Sequence, residues 1–145
     1  MTRLLHRRGD GGEITAFLLL IVLAILAFGG LVMDGGMAIA AKRRAMNEAQ
    51  AAARAGANQI SESRYRTEGS VVIDCAAASA AAREYLTAHT SHVVGSRVDC
   101  DSGAVHVSVQ FSESTSLLGL VGISSIAVDG TGVARNAHGV VAEGR

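Results

Sequence analysis

Twenty consecutive residues, Ile14 to Met33, carry no charge: ITAFLLLIVLAILAFGGLVM. A helix rising ~1.5 Å per residue over that run spans ~30 Å, the thickness of a bilayer's hydrocarbon core. Thirteen of the twenty are Leu, Ile, Val or Phe. At ~0.3–0.6 kcal/mol each, insertion is favoured by about 4–8 kcal/mol before small penalties for Thr15 and the glycines. A buried core helix of this kind would need an equally apolar shell, and nothing else in the 145 residues supplies one. The run reads as a membrane-spanning helix, with the lipid bilayer as the first partner of the chain.

The flanks set anchoring and orientation. Residues 1–13 form a basic tail with Arg3, His6, Arg7 and Arg8. Ala38-Ile39-Ala40 before Ala41 has the small-residue pattern of a signal-peptidase site, and a cut after Ala40 would release a soluble secreted product. The apolar run exceeds the usual ~7–15-residue signal core, however, and helix-forming residues continue past it, so an uncleaved anchor is expected. Lys42, Arg43 and Arg44 lie beyond the run, so the positive-inside count is nearly a tie. Cys75 and Cys100, the two cysteines, both lie in the C-terminal part. An even pair beside a membrane segment points to a disulfide in an oxidising compartment; two unrelated buried thiols is the alternative. The expectation is a single-pass cell-membrane protein with a cytoplasmic N-terminus and an extracytoplasmic C-terminal domain.

Residues 34–63 continue as an Ala-rich helix of good helix formers. Ala41, Ala45, Ala49, Ala52 and Gly56 recur at spacings of three and four, which places them on one face. A stripe this small lets another backbone approach closely. It either packs on the chain's own C-terminal domain or meets neighbouring copies or partners. Gly29-Gly30 and Gly35-Gly36 are places where the helix could bend.

Residues 64–145 read as a small α/β domain. Ser61–Ser70 is a polar connector, and Val71-Val72-Ile73 a short strand. Asp74 is a candidate N-cap for a helix over Cys75–His89. Three strands follow: Val93–Cys100; Ala104–Phe111, where Val105, Val107, Val109 and Phe111 alternate with polar residues; and Ile123–Asn136, kinked at Gly130-Thr131-Gly132. Asp101-Ser102-Gly103 is a hairpin turn, Ser112–Ser116 a polar loop, and Val140-Val141 an extra edge. The expected fold class is α+β: a long transmembrane helix continuing into an amphipathic one, then a small helix and an antiparallel sheet of three to four strands.

Composition narrows function mainly by exclusion. The 13 basic and 13 acidic residues cancel, which lacks the basic footprint of a nucleic-acid binder. Three Phe, two Tyr and no Trp leave little for base stacking. The cancellation hides a split, with nine basic and five acidic residues up to Arg66 and four and eight after it. No P-loop, nucleophile elbow, H-E-x-x-H or C-x-x-C is present. His89 and His92 lack a nearby third ligand, His106 falls on the polar face of a strand, and Asp99 and Asp101 flank a turn. No enzyme activity, cofactor or metal is expected.

Three stretches are similar to a known family. They are Arg7–Glu13; GLVMDGGMAIAAKRRAMNEAQAAARAGA, Gly30–Ala57; and LLGLVGISSIAVDGTGVA, Leu117–Ala134. The chain resembles the TadE/TadG-like proteins of tight-adherence (Flp) pilus assembly. The resemblance implies a pilin-like fold and a membrane-anchored, minor pseudopilin role in assembly of such a pilus or a related secretion structure. It also implies other pilus or secretion-machinery subunits as partners, and prepilin-peptidase processing just before the apolar helix, at Gly12 and Glu13. Pilin-type substrates carry Gly at the cut and Glu five residues into the mature chain; here a cut after Gly12 leaves Glu13 at position one. The alternative function is a single-pass cell-envelope binding or sensing protein unrelated to pili.

Overall fold

A computed structural model describes residues 11–91, 93–101 and 103–136. The basic tail up to Asp10, His92 and the edge expected at Val140-Val141 lie outside the described residues. One helix, α1, runs without interruption over Gly11–Ala57. Its 47 residues extend ~70 Å at 1.5 Å per residue. The apolar run and the Ala-rich stretch are therefore one element, and the helix continues through both glycine pairs. It ends at Ala57, short of the Ser63 expected from composition.

The stretch expected to be a connector contains a second helix, α2 (Glu62–Glu68), with no buried residue and an exposed Arg66–Glu62 pair at 3.5 Å. Seven residues that bury nothing leave no apolar period to read. Val71–Ile73 does not form a strand; Ile73 makes a single bridge to Ile60. Helix α3 spans Cys75–His89, and the Asp74 carboxylate accepts from the N–H groups of Ala76 (3.0 Å) and Ala77 (3.2 Å). That cap satisfies donors that a helix start otherwise leaves open.

Strands β1 (Val93–Cys100), β2 (Ala104–Ser114) and β3 (Ser125–Arg135) form an antiparallel sheet in the order β1-β2-β3. The observed class is α+β. Strand β2 runs three residues past Phe111, because Ser112, Glu113 and Ser114 pair with Ala127, Ile126 and Ser125. The β2–β3 register is unbroken from Ala104↔Arg135 to Ser114↔Ser125, so the kink expected at residues 130–132 is absent. The β1–β2 turn is closed by Asp101, which accepts from the N–H groups of Gly103 (2.8 Å) and Ala104 (2.7 Å). This is the local side-chain turn for which Asp is favoured.

The outer half of α1 and helix α3 cover one face of the sheet; α1 lies mainly on β3 and β2, and α3 on β1. Val105, Val107, Val109 and Phe111 of β2 are buried beneath them. Each such side chain stabilises the fold by about 1.5–3 kcal/mol relative to exposure. The opposite face carries His106, Ser108 and Gln110 and is polar.

Candidate functional site

The inner half of α1 is bare. Ile14, Phe17, Leu18, Leu20, Leu26 and Phe28 are each more than 60% exposed. Among the described residues, one helix is long and apolar enough to cross a membrane, and it lies near the N-terminus. Solvent contact on this scale far exceeds the few-hundred-Å² apolar patch of a soluble monomer, so the surface calls for an apolar partner.

The outer half is the opposite case. Ala41, Ala45, Ala49 and Ala52 are buried to 1% exposure or less. Their partner is β3, and its glycines explain how. A Cβ on Gly130 would stand 2.2 Å from the carbonyl carbon of Ala45, and one on Gly132 would stand 2.4 Å from that of Ala49. Backbone rests on backbone here, the geometry that small residues on both sides permit. A Cβ on Gly56 would meet the Ala78 carbonyl oxygen at 2.9 Å and Val105 at 3.1 Å. Of the two partners open to the small-residue face, the structure assigns the chain's own domain. The reason is the match of Ala-x-x-x-Ala on α1 to Gly-x-Gly on β3, which a helix period of 3.6 and a strand period of 2 keep in step.

Helix side chains also cover the open edge of β3. The Gln50 amide donates to the Val133 carbonyl (2.8 Å) and accepts from its N–H (3.2 Å), as a neighbouring strand would. The Lys42 ammonium donates to the Asp129 carbonyl. Covering an edge in this way removes a template for unwanted strand pairing. Arg44 reaches Glu113 of β2 at 3.6 Å.

At the junction of the two halves sits Asp34, a buried charged residue, 1% exposed. Its carboxylate accepts from three successive backbone N–H groups of the β2–β3 loop: Ser116 (3.0 Å), Leu117 (3.0 Å) and Leu118 (2.7 Å). Leu118 begins a 3-10 turn, Leu118–Val121. A buried charge is tolerated when fully hydrogen-bonded, and bonds to an ionised acceptor are the strong ones. Sequence reasoning does not single out Asp34 as a site residue, although it is the first charge after twenty uncharged residues and lies within the quoted stretch Gly30–Ala57.

Cys75 and Cys100 are joined by a disulfide, tying the start of α3 to the end of β1 across 25 residues. Gly12 and Glu13 lie in the first turn of α1. The His89 ring stacks on Tyr85 at 4.4 Å. Burial, then the charge of Glu48, pushes the Tyr85 phenol above its ordinary range. His106 is exposed on the polar sheet face. Among the described residues, no three His, Cys, Asp or Glu side chains gather as metal ligands. The arrangement that does stand out is mechanical: a bare apolar rod, a head clamped onto its continuation, and a carboxylate latch between them.

Residues 12–59 match the family model described as putative Flp pilus-assembly TadE/G-like. The matched stretch is a third of the chain and covers the apolar run, Asp34 and the whole small-residue face. The resemblance read from Gly30–Ala57 is borne out there. The likeness of Leu117–Ala134 lies outside the matched residues. No curated protein and no solved structure matches the chain.

Proposed function

We propose that this chain is a membrane-anchored, pilin-like component, a minor pseudopilin, in assembly of a tight-adherence type pilus or a related secretion structure. The single observation that carries the reading is the TadE/G-like match over residues 12–59. The bare apolar half of α1 and the self-contained head on its outer half support it, because a subunit of this kind works by holding a place in the bilayer and packing against others. In this reading residues 1–13 are the cytoplasmic tail, 14–33 the span, 34–63 the start of the extracytoplasmic part and 64–145 the head. An outward head puts the Cys75–Cys100 bridge where disulfides persist. Since the Ala41–Gly56 face is used within the chain, contacts to partner subunits fall to the outward side of α1. That side carries Ile39 and Met46, which are at least 46% exposed, together with Arg43. Processing by a prepilin peptidase at Gly12 and Glu13 would leave all of these in the mature chain. A cut after Ala40 would instead remove Asp34 and unlatch the head, which argues for the anchored form.

Two measurements test the proposal. Deleting the gene from cells that make such a pilus should abolish or reduce piliation, restored by the intact chain but not by a Met46→Lys variant that still folds. Undiminished pili in the deletion strain would overturn it. Mass spectrometry of the mature N-terminus separates the forms. A start at Ala41 sinks the anchor, a start at Glu13 supports pilin-type processing, and an intact N-terminus leaves the plain anchor.

A further inference from the structure

We infer that the β2–β3 loop, Thr115–Ser124, is a second membrane-contact element that dips into the same leaflet as the outer end of the apolar helix and closes an acyl-chain cleft against it. The inference rests on the membrane-anchored reading. Four observations carry it.

The first is position. Strand β2 runs antiparallel to α1, from Val105 beside Gly56 down to Glu113 beside Arg44, so its far end points back toward the apolar half of the helix. The loop continues that way and reaches Gly30, where an added Cβ would meet Leu117 at 2.9 Å. Gly30 lies three residues inside Met33, ~4–5 Å along the helix axis. A span of residues 14–33 therefore carries the loop below the edge of the hydrocarbon core.

The second is composition. From Ser114 to Val128 the chain has no charged residue, and its middle reads LLGLVGI. Leu117 is 40% exposed and Ile123 49%. Leu117 and Leu118 join Leu23, Leu26 and Leu31 in one contiguous apolar surface, and a patch of that kind marks a partner or membrane contact.

The third is backbone satisfaction. Lipid offers no hydrogen bonds, so a loop that enters it must satisfy its own polar groups. The Asp34 carboxylate takes the N–H groups of Ser116, Leu117 and Leu118. Thr115 N–H donates to the Ser124 carbonyl (3.1 Å), Gly122 N–H to Gly119 (3.2 Å) and Ile123 N–H to Leu118 (3.0 Å). The Thr115 hydroxyl covers the Ile123 carbonyl. These bonds account for the N–H groups of Thr115, Ser116, Leu117, Leu118, Gly122 and Ile123.

The fourth is the cleft itself. A cavity of about 310 Å³ lies between Leu23, Leu26 and Leu31 of the apolar run and Leu117 and Leu118 of the loop. Leu23 is ten residues inside Met33, ~15 Å, so the cleft runs from the leaflet surface to the bilayer midplane. Its walls are continuous with the surface that already faces lipid, and a lipid chain is the occupant that depth and lining select.

The chain contains no Trp, so single tryptophans report cleanly. The full-length variants Ile123→Trp, Leu117→Trp, Leu20→Trp and Tyr65→Trp would be reconstituted into phosphatidylcholine–phosphatidylglycerol vesicles. These would contain lipids spin-labelled either near the headgroup or near the chain end. Ile123→Trp and Leu117→Trp should emit to the blue and lose intensity most to the shallow label. Leu20→Trp should lose most to the deep label, and Tyr65→Trp, exposed on α2, to neither. Loop tryptophans that behave like Tyr65→Trp while Leu20→Trp is quenched overturn the inference and leave the anchor standing. Blue emission that no lipid label quenches shows protein covering the loop and also overturns it. An unquenched Leu20→Trp overturns the membrane-anchored reading and this inference with it.

Discussion

Gly130 of β3 lies against the backbone of Ala45 so closely that a Cβ added to it would stand 2.2 Å from the Ala45 carbonyl carbon. Gly132 repeats the relationship with Ala49 at 2.4 Å. Neither neighbour is a flexible side chain that could swing aside, so a methyl must push helix and sheet apart. Gly130→Ala and Gly132→Ala should each destabilise the head by about 3 kcal/mol, the upper range of overpacking, and Ala45→Leu or Ala49→Leu by at least as much. Gly35→Ala is the control: nothing lies within 4 Å of its added Cβ, and helix propensity predicts a gain of up to ~1 kcal/mol. Guanidinium midpoints of the full chain in detergent micelles, read by protease resistance of the head, check the set. A wild-type midpoint for Gly130→Ala would mean that the close contact is not maintained.

Asp34→Ala removes the acceptor of three backbone donors at once. Charge-assisted hydrogen bonds contribute about 1.5–3 kcal/mol each, and stranded buried donors cost more. The β2–β3 loop should come away from α1 while the sheet, held by its own ladder, remains. Hydrogen exchange should speed at Ser116, Leu117 and Leu118 by orders of magnitude and change little at Val107 and Val109. Asp34→Asn keeps one oxygen and should fall between. Equal acceleration throughout the sheet would show that Asp34 supports the whole head, not the loop.

The Cys75–Cys100 bridge closes 25 residues. In the chain-entropy view that loop is worth ~3.5 kcal/mol, a large share of the stability of a small head. Cys75→Ser with Cys100→Ser, or reduction of the native chain, should lower the unfolding midpoint accordingly. The unreduced protein should resist thiol reagents at both positions. Full labelling without reductant would refute the bridge.

The turn at Asp101 supplies a pH dependence. Hydrogen bonds from the Gly103 N–H and then the Ala104 N–H hold its carboxyl below the ordinary carboxylate range. A carboxyl depressed in the folded state contributes stability that is present above its unfolded pKa. That stability is lost as the pH falls through the folded value. The β1–β2 hairpin should therefore loosen in acid, and Asp101→Asn should flatten the part of the stability–pH curve that lies below the ordinary carboxylate pKa. An unchanged acid limb in Asp101→Asn would assign the dependence to other carboxylates.

Local signals carried much of the fold. Twenty uncharged residues define a bilayer-length helix wherever they occur, because length and transfer energy need no tertiary partner. Asp74 marked the start of α3 because capping is a bond within one turn, and the alternation of Val105, Val107, Val109 and Phe111 marked β2 because a strand's two faces alternate residue by residue. Helix α2 left no such mark, since it buries nothing. What only the tertiary structure decided is which surfaces meet. The stripe from Ala41 to Gly56 advertises close approach but does not name its partner. Gly130 and Gly132 look like a kink until Ala45 and Ala49, more than eighty residues earlier, are laid against them. Asp34 looks like the first polar residue after a membrane run until the N–H groups of Ser116, Leu117 and Leu118 converge on it. Periodicity records that a face is buried; the identity of the covering surface is a distance between elements far apart in the chain, and only folding sets that distance.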